Sequence, residues 1–169
     1  NLDIDKAVDE LRKKGIAQAE KKAFNTTNEG IVESYIHHDS KLGVLVEIDC
    51  ETDFVAKTQE FKNLAREIAM QIAMDDPRYI SREDIPTEII ERETNIYRTQ
   101  LESENKPINV IDKILEGKLE NFYKSVCLLD LPYMRDPKIT IKELISQYVG
   151  QFKENIRVKR FARYKVGEE

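Results

Sequence analysis

Hydrophobic and polar positions change their spacing several times along the chain, and each change marks an element. Leu2, Ile4, Ala7, Val8 and Leu11 fall near a helical period, with Asp3, Asp9, Glu10 and Arg12 on the other side, which predicts an amphipathic helix over 2–14 that Gly15 ends. Residues 16–28 are small, basic and polar and read as a linker. A lone helix before it cannot bury its own apolar face, so an element that packed against it is expected to be missing. From 31 to 38 and from 42 to 50 the residues are β-branched and aromatic, and the polar turn Asp39, Ser40, Lys41 between them predicts a hairpin. In its second strand the period of two places Val44, Val46, Ile48 and Cys50 on one face and Glu47 and Asp49 on the other.

Helical spacing returns over 58–74, where Phe61, Leu64, Ala65, Ile68, Ala69, Ile72 and Ala73 form one stripe behind Thr58 as N-cap. Asp75, Asp76 and Pro77 break it. Two further helices, from Pro86 to about Glu104 and from Ile108 to about Leu129, are joined by the short Asn105, Lys106, Pro107. They should return as a protruding antiparallel hairpin, roughly 30 Å long at about 1.5 Å per residue. Thr140 and Glu143 have capping-box spacing and open a short helix to Gly150. The last strand, 156–166, alternates Ile156, Val158, Ala162 and Tyr164 with Arg157, Lys159, Phe161, Arg163 and Lys165. Together these elements predict an α+β fold, a three-stranded antiparallel sheet with helices on one face.

Composition narrows the function. The 169 residues carry 27 Lys and Arg against 32 Asp and Glu, a net charge of −5 that argues against a general nucleic-acid binder. The basic row Arg157–Lys165 is the one feature that favours a nucleic-acid-binding module, because alternate cations around Phe161 could follow a phosphate backbone. No apolar run approaches the roughly 20 residues of a membrane span, so no membrane partner is expected. The chain starts at Asn1 without a secretory pattern and reads as a cut or processed end. Two distant cysteines, Cys50 and Cys127, suit a reducing cytoplasm and make neither a disulfide framework nor a zinc spacing. His37 and His38, adjacent in a strand, should point to opposite faces and chelate nothing together. The scattered glycines form no phosphate-binding loop. Neither a metal nor a cofactor is expected, and neither cysteine, with no histidine near it in sequence, reads as a nucleophile.

The segment Cys50–Lys57 stands apart. Its Phe54, just ahead of a helix, is either a hydrophobic staple onto that helix or an exposed apolar knob, flanked by Asp53, suited to a partner's pocket. The residue types leave both open.

CETDFVAKTQEF at 50–61 resembles the signature of the elongation factor Ts family, and LRKKGIAQAEKKA, EGIVESYIHH, LGVLVEIDC, the helix KPINVIDKILEGKLENFYKSVCLL and the closing ENIRVKRFARYKVGEE match the family in order. Leu131, Pro132 and Tyr133 stand where many members have Gln-Pro-Phe. The resemblance implies a non-enzymatic mechanism, that of a guanine nucleotide exchange factor that binds elongation factor Tu·GDP and promotes GDP release. It implies a site made of Thr52, Asp53, Phe54 and Val55, with Phe54 as a wedge and Asp53 disturbing the groups that hold the partner's magnesium. It also implies a homodimer, since the core module occurs once as in the short form of the family. In those terms residues 1–15 are the remnant helix of a ubiquitin-associated-like domain, 16–28 a linker, and 29–169 the core domain, with a helical hairpin over about 86–129.

Overall fold

The computed structural model describes residues 4–104 and 107–168. Expectations resting on Asn1, Leu2, Asp3, Asn105 and Lys106, and on the side chains of Ile4, Val8 and Asp9, lie outside the described residues. The elements run α1 (Ile4–Lys22), β1 (Glu29–Ile36), β2 (Leu42–Cys50), α2 (Asp53–Ala56), α3 (Gln59–Asp75), α4 (Thr87–Ser103), α5 (Ile108–Val126), β3 (Pro132–Tyr133), β4 (Asp136–Thr140), α6 (Ile141–Phe152) and β5 (Ile156–Lys165). They form two compact units, one holding the described residues up to Asp76 and from Pro132 onward, the other Pro77–Leu131.

The first unit is built on a three-stranded antiparallel sheet in the order β1-β2-β5. Period-two burial holds along β2 as far as Ile48, with Val44, Val46 and Ile48 buried and Leu45 exposed, but at its end Asp49 is buried as well as Cys50, because it lies on the open face beneath Arg157, its ion-pair partner at 3.4 Å. Helix α3 packs on β1 and β2 and sinks Phe61, Leu64, Ile68 and Ile72 completely. Its start is sealed as the sequence predicts, with the Thr58 hydroxyl accepting the Phe61 N–H at 3.2 Å. The Thr140–Glu143 capping box opens α6, again as expected. The fold is therefore α+β.

Three local expectations change. First, Gly15 does not end the opening helix, which continues to Lys22 and takes in the first part of the expected linker. A glycine inside a helix needs a packing reason, and here it is the crossing of α1 with α6. A Cβ on Gly15 would lie 3.1 Å from the Ser146 carbonyl oxygen, and one on Gly150 would lie 3.2 Å from the Gly15 Cα. Two bare backbones meet where side chains would hold the helices apart, and α6 likewise runs past Gly150 to Phe152.

Second, β5 does not keep one face throughout. Ile48 pairs with Val158 but Glu47 pairs with Arg160, so Lys159 is the extra residue of a bulge. Beyond it the side chains swap sides. Phe161 and Arg163 pair with Val46 and Val44 on the helix-covered face, while Ala162 and exposed Tyr164 turn outward beside Leu45 and Gly43.

Third, β1 ends at Ile36, which leaves His37 and His38 in the turn and free of strand alternation. Their rings lie side by side, with centroids 4.2 Å apart, and Nδ1 of His37 is 3.0 Å from the Tyr35 hydroxyl. The short β3–β4 hairpin had no counterpart in the sequence pattern. It is tied to α3 by the fully buried Gln71, whose amide donates to the Pro132 carbonyl at 3.2 Å and accepts from the Met134 N–H at 2.9 Å.

In the second unit α4 and α5 run antiparallel. Leu101 near the end of α4 packs with Ile111 and Leu115 near the start of α5, whereas Ile89 and Ile90 at the start of α4 pack by Val126, Phe122 and Tyr123 at the end of α5. Arg82 clamps the base of this hairpin, pairing with Glu120 at 2.7 Å and Asp130 at 2.6 Å and lying over the Tyr123 ring.

Candidate partner-binding site

The corner between β2 and α3 is a tightly bonded backbone. At the end of β2 the Cys50 thiol donates to the Thr52 carbonyl at 3.2 Å. Burial pushes that thiol up to about 11, with the Glu154 charge adding to the effect, so it stays protonated and inert. Thr52 is extended, and Glu154 grips it twice: one carboxylate oxygen accepts its N–H at 3.0 Å, the other its hydroxyl at 2.6 Å. Glu51 accepts from the Asn155 N–H at 2.6 Å and the Asn25 side-chain amide at 2.9 Å, with the Lys22 ammonium 3.7 Å away. Desolvation pulls the Glu51 carboxyl upward, but these donors outweigh it and hold it below the usual carboxylate range.

Helix α2 is a single turn. It buries Val55 and Ala56 against the first unit's core, and consecutive helical residues diverge by about 100°, so Phe54 is turned outward. The Phe54 ring is 81% exposed. It is therefore no staple on α3. Asp53 beside it accepts from Lys57 Nζ at 2.5 Å, one helical turn on. That hydrogen bond, reinforced by the lysine's charge, lowers the Asp53 pKa, and Asp53 correspondingly raises that of Lys57. The pair is ionised and faces water.

Of the four residues expected at the site, Asp53 and Phe54 are presented to solvent. Val55 is buried and seats the turn, and the Thr52 hydroxyl is already taken by Glu154. Sequence reasoning missed Glu51, Glu154, Asn155 and Asn25. The only trace of Glu154 and Asn155 was the polar run Lys153, Glu154, Asn155 between apolar Phe152 and Ile156, and no local pattern connects it to residues a hundred or more positions earlier.

The basic row is divided by the β5 bulge and matched by acids. Arg157 pairs with Asp49 at 3.4 Å and Arg160 with Glu47 at 2.5 Å on the open face, while Arg163 meets Asp76 at 3.3 Å and Glu168 at 2.7 Å. Among the described residues no cluster of three or more His, Cys, Asp or Glu could hold a metal ion, and no helix is long and apolar enough to cross a membrane.

A family model described as Elongation factor TS matches residues 6–168. The chain belongs to the elongation factor Ts family. Curated elongation factor Ts proteins align with nearly all of it. That of Caldanaerobacter subterraneus subsp. tengcongensis is 55% identical over 168 residues, 99% of this chain and 84% of the relative. That of Carboxydothermus hydrogenoformans is 53% identical over 168 residues, covering 77% of the relative, and that of Pseudothermotoga lettingae 54% over 167 residues, covering 84%. Membership of the elongation factor Ts family makes this a translation elongation factor, and the exposed Asp53-Phe54 turn lies within the stretch that matches the family.

Proposed function

We propose that this protein is a guanine nucleotide exchange factor: it binds elongation factor Tu·GDP in the cytoplasm and speeds GDP release without any catalytic turnover of its own. The carrying observation is Phe54, an aromatic ring exposed on a turn that the structure does not need it to stabilise. A large apolar ring held in water on a rigid corner suits a binding anchor. Thr52 and Val55 fix the turn from behind, so Phe54 reaches the partner already ordered. Asp53 carries its negative charge alongside, placed to disturb the polar groups that hold magnesium and phosphate in the GTPase. Linkage sets the energetics: whatever factor the protein weakens GDP by, GDP weakens the protein by the same factor. Each tenfold corresponds to about 1.4 kcal/mol. An aromatic hot spot of roughly 2–4 kcal/mol is large enough to supply a useful part of that coupling.

A second copy of the chain is the other partner proposed. The open face of the sheet exposes Val32, Ile36, Leu45 and Tyr164, apolar side chains of the kind two-fold symmetric interfaces use.

Release of fluorescent GDP from elongation factor Tu, with and without the protein, tests the exchange reading. Acceleration that persists from low to moderate salt supports it, because a wedge built on an apolar ring is little screened. An unchanged release rate at saturating protein refutes it.

A further inference from the structure

Phe24 is the most exposed large hydrophobic residue among the described residues, 96% open to water, and the fold makes no use of its ring. Its backbone, however, is fixed on both sides. The Asn155 side-chain amide donates to the Ala23 carbonyl at 3.3 Å and to the Asn25 carbonyl at 2.9 Å. The Asn25 N–H closes onto the Lys22 carbonyl at 2.8 Å, and the Asn25 side chain donates to Glu51 at 2.9 Å. Four hydrogen bonds thus hold a three-residue loop whose central side chain touches almost nothing.

The same bracket holds the Phe54 corner. Glu154 grips Thr52, its neighbour Asn155 grips the Phe24 loop, and Glu51, which receives Asn25 and the Asn155 N–H, directly precedes Thr52. From Glu51 to Phe54 is three residue steps, and from Asn25 to Phe24 one, each at most about 3.8 Å between Cα atoms. Allowing for the Asn25–Glu51 bridge, the Cα atoms of the two phenylalanines lie within about 25 Å of each other. A standard interface of roughly 800 Å² per partner spans about 30 Å, a width comparable with that separation. Conformational entropy sharpens the point, because an exposed ring on a fixed backbone loses little further freedom when it is buried by a partner.

We propose that Phe24 is a second aromatic anchor for the GTPase partner, mounted on the bracket that presents Phe54 and adding affinity without taking part in nucleotide release. The inference rests on the exchange reading above. Its test titrates the parent, Phe24→Ala, Phe24→Tyr and Phe54→Ala proteins into elongation factor Tu carrying fluorescent GDP and reads both the half-saturating concentration and the saturating release rate. Expected for Phe24→Ala is a half-saturating concentration raised about tenfold, the loss typical of an interface aromatic, with the saturating rate and the thermal midpoint kept. Phe24→Tyr should restore parent behaviour, since a ring is what the site requires, while Phe54→Ala should lower the saturating rate. Half-saturation of Phe24→Ala within twofold of the parent, beside an impaired Phe54→Ala, overturns the inference and leaves the exchange reading standing. A Phe24→Ala protein that melts much earlier overturns it too, by making the ring structural. A parent that does not accelerate release brings down both.

Discussion

The Glu154 carboxylate holds Thr52 by its N–H at 3.0 Å and its hydroxyl at 2.6 Å, joining the turn before β5 to the turn that carries Phe54, 102 residues away in the chain. Charge-assisted bonds in a half-buried setting contribute roughly 1.5–3 kcal/mol each when a partner is lost. With two such bonds lost, Glu154→Ala should lower unfolding stability by about 3 kcal/mol or more in urea. It should also slow GDP release, because the corner loses its fixed geometry. In a double-mutant cycle with Thr52→Val, the two changes should be clearly non-additive. Simple additivity would mean that the bond from the Thr52 hydroxyl carries no energy; the bond from the Thr52 N–H, which valine keeps, lies outside this cycle.

Phe54 and Phe61 make opposite predictions for the same substitution. Phe54→Ala should change folding stability by less than about 1 kcal/mol while slowing GDP release markedly. Phe61 is fully buried, and Phe61→Ala should cost about 3–5 kcal/mol. A Phe54→Ala protein that unfolds far earlier, yet exchanges at the parent rate when folded, would remove Phe54 from the site.

Two glycines should respond with opposite signs. A Cβ on Gly30 would fall 2.3 Å from the Ile48 carbonyl oxygen, backbone that cannot move without parting β1 from β2, so Gly30→Ala should be severely destabilising. Gly117 lies inside α5 with nothing within 4 Å of a Cβ, and Gly117→Ala should stabilise by about 0.5–1 kcal/mol. Thermal unfolding of the pair reads both signs at once.

Acid should loosen the site bracket through Glu51. Its pKa is lowered in the fold from the ordinary 4.5, so the unfolded chain takes up the proton first. The stabilisation is complete above pH 4.5 and is lost as pH falls through the lower folded value. Glu51→Gln should narrow its stability deficit against the parent as pH drops from about 5 towards 3. A deficit that stays constant with pH would show that ionised Glu51 is not what binds Asn25 and Asn155.

Leu45 and Tyr164 test the second copy. Leu45→Glu or Tyr164→Glu places a charge on the apolar open face and should convert a sedimenting dimer to monomer without loss of folding. A parent protein that sediments only as monomer at tens of micromolar rules the dimer out.

Much of this protein was legible in local patterns. The stripe on α3, the Thr58 and Thr140 caps, the alternation of faces along β2 and the helical spacing of α4 and α5 each depend on residues within one or two turns of each other, so spacing alone determines them. The Cys50–Phe61 motif likewise carried the family resemblance. Tertiary structure decided what depends on distant partners. Gly15 has a helix breaker's identity, yet the close approach of α6 at Gly150 makes its missing side chain an advantage, and the helix runs on. The bulge at Lys159 is set by how β5 must register against β2, so no alternation in β5 itself could show that Phe161 and Arg163 turn inward. The identity of Phe54 was equally compatible with a staple and a knob. Its exposure follows from Val55 and Ala56 claiming the core side of a one-turn helix, and its rigidity from Glu154 and Asn155, which only the folded chain brings to the corner.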